Sequence, residues 1–105
     1  VDVHETDSDG ASPLFLASAL GLVDVARVLL ENGADVDQAN NKGATPLHLS
    51  CQGGHVDVVR LLLEKEGDVY HTDDNDVSPL YVSYFSGEME VAQLLHDHGA
   101  DIDYK

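Results

Sequence analysis

Residues 43–69 read GATPLHLSCQGGHVDVVRLLLEKEGDV, and this stretch decides the fold. Thr45 followed by Pro46 marks a helix start. A hydroxyl can accept from the first free N–H groups, and proline's missing N–H costs nothing at the first helical position. Gly53 and Gly54 follow soon after and can turn the chain back. Beyond them Val58, Leu61 and Leu62 fall at helical spacing, which predicts a second helix.

One such helix pair cannot bury its apolar face alone, and the sequence answers by repeating it. Ser12-Pro13-Leu14, Thr45-Pro46-Leu47 and Ser78-Pro79-Leu80 stand 33 positions apart, as do Gly21, Gly54 and Gly87. Asp35-Val36, Asp68-Val69 and Asp101-Ile102 keep the same interval, and Asp2-Val3 fits as the tail of a preceding unit. The second helix recurs as Val25, Val28, Leu29 and as Val91, Leu94, Leu95, with its end expected at Gly33 and Gly99. A fixed period over the whole chain is the signature of a stacked array. The expected organisation is a single domain, 1–105, with a tail at 1–7 and units at 8–40, 41–73 and 74–105. Between helix pairs lie polar segments such as ADVDQANNKGA (34–44), read as loops or short hairpins.

The quoted stretch resembles the ankyrin repeat, whose pattern runs G-x-T-P-L-H-x-A and then G-H-x-x-V-V-x-L-L-L-x-x-G-A-D-V. The resemblance implies an all-α repeat solenoid of stacked helix-turn-helix units with projecting β-hairpin loops. It also implies that protein partners dock on a concave face made of loop tips and the exposed side of the first helices. Carried over by position, that face takes Ser8, Asp9, Ala11, Ala19 and Leu20 from unit one. Unit two supplies Asn41, Lys42, Ala44, Gln52 and Gly53, and unit three supplies Asp74, Asn75, Val77, Phe85 and Ser86. Leu20 and Phe85 are apolar where exposure is expected; Phe85 reads either as a binding anchor or as a cover for the end of the stack.

The chain departs from the pattern in three respects: Thr-Pro-Leu-His is complete only at Thr45–His48, with Phe15 and Tyr81 replacing the histidine in the other units. EKEGDV puts Glu66 where Gly33 and Gly99 stand, so either Glu66 is strained into a left-handed conformation or the helix ends at Gly67 instead. In unit three Asp76 replaces a turn glycine, Tyr84 a small residue and His96 a leucine, which reads as local looseness or as a surface shaped for contact.

Charge narrows the partner. Asp and Glu number 20 against 5 Lys and Arg, a net charge of −15, which repels nucleic acid and anionic membrane surfaces and attracts basic protein segments. Glu5, Asp9, Asp37, Asp74, Asp76 and Asp103 add acid to the loops, and Lys42 is the one basic tip. The composition is 43% hydrophobic but 6% aromatic, an apolar mass of Leu, Val and Ala that suits thin regular layers. Cys51 is the only cysteine, so a reducing compartment, cytoplasm or nucleus, is expected. No apolar run reaches the roughly 18 residues that a membrane span needs, and a monomer is expected. A start at Val1 without Met points to a piece of a longer polypeptide or a processed start.

Catalytic and metal readings are weak. Glu5, Asp7, Asp9 and Gly10 imitate the start of a calcium loop, but the closing carboxylate position holds Leu16. His48 and His55 flank Cys51, yet no second cysteine exists for a structural zinc, and the resemblance implies a small, buried helix position for Cys51. His48 reads as a structural hydrogen-bonding residue, and His96 and His98 as surface histidines. The expectation is a non-enzymatic, cofactor-free module that binds a basic or mixed-charge protein segment. The alternative is an architectural spacer within a longer array, with recognition elsewhere.

Overall fold

The computed structural model describes residues 2–100, so Val1 and the 101–105 end of unit three, with Asp101-Ile102 and Asp103, lie outside the described residues. Six helices follow in order: α1 (Pro13–Leu20), α2 (Val23–Glu31), α3 (Pro46–Gly53), α4 (Val56–Glu64), α5 (Pro79–Phe85) and α6 (Met89–Asp97). Each pair folds back on itself, and each unit packs on its neighbour through α1 on α3, α3 on α5, α2 on α4 and α4 on α6. Leu14, Leu47 and Leu80, one from each first helix, lie in a continuous apolar core with Val58, Leu62 and Leu95 from the second helices.

The helix ends follow the local chemistry. Ser12 Oγ accepts from the Phe15 N–H (3.2 Å) and Ser78 Oγ from the Tyr81 N–H (3.3 Å), each with proline opening the helix. No strand occurs among the described residues. The projecting loops are tight turns: Asp7 N–H donates to the Ala11 carbonyl (3.1 Å) and Gly10 N–H to the Asp7 carbonyl (3.0 Å). The same pair of bonds recurs at Asn40–Ala44 and Asp73–Val77. The loops therefore keep the hairpin's turn without its strands, because the helices begin directly after it.

Unit two keeps the helix ending of its neighbours at the cost of strain. Ala34 and Ala100 N–H bond back to the Leu29 and Leu95 carbonyls (3.0 and 2.9 Å), across Gly33 at φ 93° and Gly99 at φ 98°. Gly67 N–H makes the same closing bond to Leu62 (2.9 Å), which leaves Glu66 in the left-handed position at φ 65°. The helix has not re-ended at Gly67. Asp76 is left-handed as well, at φ 63°, but a short Asx side chain tolerates that region better than Glu does.

Between units, histidines act as ties. Thr45 N–H donates to His48 Nδ1 (3.1 Å), and the Thr45 hydroxyl lies 2.8 Å from the same nitrogen. Because Nδ1 accepts from a backbone N–H it carries no proton, so Nε2–H donates to the Val77 carbonyl of the next unit (2.8 Å). His48 is thus a neutral imidazole of fixed tautomer that closes its own helix start and holds unit three. His55 Nε2–H reaches the Ala19 carbonyl of unit one (3.1 Å), while His71 reaches the Gly43 carbonyl within unit two (3.2 Å).

Two departures in unit three complete each other. His96 Nδ1–H donates to the Ala100 carbonyl (3.0 Å), leaving Nε2 to accept from the Tyr84 hydroxyl (2.6 Å). Both side chains are half-buried between α5 and α6. Tyr84 and His96 therefore form one internal hydrogen bond, and His96 is not the surface histidine its neighbours in sequence imply. His98 is exposed, with Nδ1 on the Leu94 carbonyl (3.0 Å).

Two outcomes follow from these geometries. Replacing Glu66 by Gly removes a left-handed L-residue worth about 1 kcal/mol, so urea unfolding of Glu66→Gly moves to higher denaturant; an unchanged midpoint contradicts the strain. Burial lowers the pKa of His48 below its ordinary value, against the opposing pull of the Val77 hydrogen bond and the Asp73 charge. The unfolded histidine protonates near pH ~6.5, so the stability held by neutral His48 is full above that pH and is lost as pH falls through the lowered folded value. The stability advantage of the wild type over His48→Phe, the residue type of unit one, shrinks from pH 7.5 to 5.5. An advantage that stays constant or grows contradicts the neutral assignment.

Candidate functional site

The loop tips come together as a ridge. Asn41 N–H donates to the Asp9 carbonyl (3.0 Å), and one unit on Asp74 N–H donates to the Lys42 carbonyl (3.0 Å). Asn41 Nδ2 adds a bond to the Ser8 carbonyl (3.3 Å). Ser8, Asp9, Asn41, Lys42, Asp74 and Asn75 are all exposed along this ridge, while Ala44 and Val77 are half-buried at its foot. Ala11 is a correction: it is buried at 4% exposure under the turn, so it offers no surface to a partner.

The first helices add rows beside the ridge. Ala19, Gln52 and Phe85 hold equivalent positions, and Leu20, Gly53 and Ser86 hold the next. Phe85 is 79% exposed and Leu20 69%, whereas Ala19 is half-buried and Gln52, Gly53 and Ser86 are exposed. That exposure leaves Phe85 covering little of the stack. Its ring lies 6.3 Å from that of Tyr81 at an interplanar angle of 26°, a stacked pair one helical turn long.

Sequence reasoning missed Leu16 and Tyr81, which lie one turn before Leu20 and Phe85. The available signal was the i, i+4 spacing itself, since residues so placed share one helix face. Leu16 is 45% exposed and borders a shallow open groove of about 310 Å³ with Asp7, Asp9, Asn40, Asn41 and Lys42.

The turn acids are committed to backbone. Asp7 Oδ1 accepts from the N–H groups of Asp9 and Ala11 (both 2.9 Å), and Asp73 Oδ1 accepts from those of Asn75 (2.9 Å) and Val77 (3.0 Å). The imitation of a calcium loop is therefore a turn cap. Among the described residues no three His, Cys, Asp or Glu side chains converge to hold a metal. Asp37, whose Oδ1 accepts from the Asp68 N–H of the next unit (3.0 Å), has its pKa raised, chiefly by burial and also by the charges of Asp68 and Asp35.

Cys51 and its flanking histidines do not assemble a nucleophile. The thiol is fully buried, and burial pushes its pKa up to about 12, far from the thiolate that nucleophilic chemistry needs. Both His48 nitrogens are engaged with Thr45 and Val77, and His55 is turned to Ala19.

Positive charge lies elsewhere. Arg27 and Arg60 sit on α2 and α4, and Arg60 pairs weakly with Asp57 (3.5 Å) and Glu90 (3.9 Å) on exposed surface. Lys65 stands at the C-terminal end of α4, and Lys42 is the one cation at the loop tips among the described residues.

The comparisons with known proteins agree with this architecture. The family described as "Ankyrin repeats (3 copies)" matches residues 36–105, and that described as "Ankyrin repeat" matches residues 9–41. "Ankyrin repeat domain-containing protein 13B" of Mus musculus is 53% identical over 36 residues, which are 34% of this chain and 6% of that protein. The Homo sapiens protein of the same name matches with the same values. The aligned stretch is thus a small part of those relatives. Ankyrin repeats generally serve as non-enzymatic protein-interaction modules. With the family matched over two thirds of its length, the chain belongs to the ankyrin-repeat family.

Proposed function

We propose that this domain binds a basic or mixed-charge protein segment across the loop tips and the exposed side of α1, α3 and α5. The observation that carries this reading is the pairing of large exposed apolar side chains, Leu20 at 69% and Phe85 at 79%, with a ridge whose acids include Asp9, Asp74 and Asp76. Aromatic anchors concentrate binding energy, while the acid field governs encounter and choice of partner. In this reading the domain is monomeric, catalyses nothing, requires no cofactor and works in the cytoplasm or nucleus. Nucleic acid is disfavoured by the net charge of −15. Among the described residues no helix is long and apolar enough to cross a membrane.

A second reading, an architectural spacer, draws on a different observation: Val25 and Val28 of α2 stand 48% and 55% exposed.

The immobilised domain, incubated with cell lysate and washed at low and then high salt, separates the two. Under the binding reading it retains a basic protein at low salt and sheds it at high salt. Phe85→Ala weakens capture at both salt concentrations, by the order of 2 kcal/mol expected of an anchor. Asp74→Lys weakens it mainly at low salt, where exposed charges are least screened. Unchanged affinity in the combined Phe85→Ala, Asp74→Lys variant overturns the assignment of this surface.

A further inference from the structure

The second helices of the three units end alike, on residues 33 positions apart. Asn32, Lys65 and His98 close them with φ between −91° and −103° and ψ of 17° or 18°. Gly33, Glu66 and Gly99 follow at positive φ. Of the three pairs, Asn32–Gly33 alone sets a carboxamide beside a glycine nitrogen.

That pairing carries chemistry of its own. When the backbone nitrogen of the following residue reaches an asparagine Cγ, a five-membered ring closes, and a side chain on that residue is the chief obstacle. Glycine has none. A Cβ built on Gly33 would meet nothing within 4 Å, and both residues are exposed, so water has free access. The other asparagines are worse placed: Asn40 precedes Asn41, Asn41 precedes Lys42, and Asn75 precedes Asp76. Asn40 Oδ1 also accepts from the Lys42 and Ala44 N–H groups (both 3.0 Å), and Asn41 Nδ2 is bonded to the Ser8 carbonyl (3.3 Å).

In the closed structure the reacting groups at Asn32 are held in other bonds. Asn32 Nδ2 donates to the Val28 carbonyl (2.8 Å), Gly33 N–H to the Leu30 carbonyl (3.2 Å) and Ala34 N–H to the Leu29 carbonyl (3.0 Å). The Gly33 nitrogen must lose its proton to attack, so the ring closes only when these bonds part. Openings of that size at a helix end are among the least costly motions of a folded chain.

We propose that Asn32–Gly33 is a self-modification site, at which opening of the end of α2 admits deamidation and deamidation then holds that end open. The Gly33 nitrogen, its proton lost to hydroxide, forms a bond to Asn32 Cγ. The Cγ–Nδ2 bond breaks, and Nδ2 takes up a proton and leaves as ammonia. Water then opens the succinimide ring. Addition at the side-chain carbonyl gives aspartate, and addition at the main-chain carbonyl gives isoaspartate, whose backbone runs through Cβ to Gly33. Water enters, ammonia leaves, and nothing is oxidised or reduced.

Either product alters the helix end. A carboxylate has no hydrogen to give the Val28 carbonyl, and it adds negative charge where the helix dipole is already negative. Isoaspartate also lengthens the main chain ahead of left-handed Gly33, so Ala34 N–H no longer falls on the Leu29 carbonyl. Leu29, Leu30, Ala34 and Val36 flank this turn and pack against the core, so the change reaches packed residues. The site lies on the second helix of unit one, and the inference is independent of the partner proposed for the loop tips.

The test incubates the 105-residue chain in mildly alkaline buffer, folded and in urea, and samples both over time. Cleavage at Arg27 and Lys42 releases residues 28–42, in which fragment masses locate the converted asparagine. Enzymatic methylation of isoaspartate tells the two products apart. The expected result is conversion at Asn32 with Asn40, Asn41 and Asn75 intact, about tenfold slower in the folded chain than in urea. The isolated isoaspartyl form also loses hydrogen-exchange protection at the Ala34 N–H. A folded chain that stays unmodified, or conversion first at another asparagine, overturns the proposal. Equal rates in the two conditions overturn the gating by the helix end, and unchanged protection at Ala34 overturns its release.

Discussion

A helix pair of this length cannot shield its own apolar face from water, and everything else in the structure follows from that constraint. Each unit offers one thin layer of Leu, Val and Ala, and the layer becomes a core only when another lies against it. Leu14, Leu47 and Leu80 are each almost fully buried, although the helices that carry them are seven or eight residues long. Such helices are too short to persist alone in water. Their stability resides at the interfaces between units, which makes the array a chain of nearest-neighbour contacts.

Polar groups register those layers. His48 links the start of α3 to the Val77 carbonyl, His55 links unit two to the end of α1, and the turn backbones pair at Asn41–Asp9 and Asp74–Lys42. These bonds are directional where apolar contact is not, so they set how each unit is placed on the last. They also bring the loops into a ridge along which Ser8, Asp9, Asn41, Lys42, Asp74 and Asn75 are exposed. The turn acids Asp7 and Asp73 accept from backbone N–H groups and so cap the turns, and Asp9, Asp74 and Asp76 stand exposed beside them.

Much of this was legible in the sequence because the repeat writes the same constraint three times. The Ser/Thr-Pro starts, the turning glycines and the leucine spacing each fixed an element to within a residue or two. The segments between helix pairs were read as loops or short hairpins, and among the described residues they are turns without strands, since the hydrogen bonds that define a strand depend on how the units sit on one another. The left-handed backbone at Glu66 followed from register with Gly33 and Gly99. The Tyr84–His96 bond did not, because two substitutions twelve residues apart show no pairing until the helix hairpin brings them together. Of the predicted surface, the loop tips and Phe85 were placed correctly as exposed. Ala11 was misjudged because a small residue reads alike on either side of a turn, and Leu16 was passed over because attention to loop tips hid its place one turn from Leu20.

The central claim is that stability belongs to the interfaces between units, so the most direct measurement is native-state hydrogen exchange resolved along the chain. The account predicts the slowest exchange in α3 and α4, which are packed on both sides, with Val59 and Leu62 among the most protected amides, and clearly faster exchange in α2, which is packed on one side. Equal protection of α2 and α4 would contradict it, because stability would then belong to each helix pair rather than to the contact between pairs.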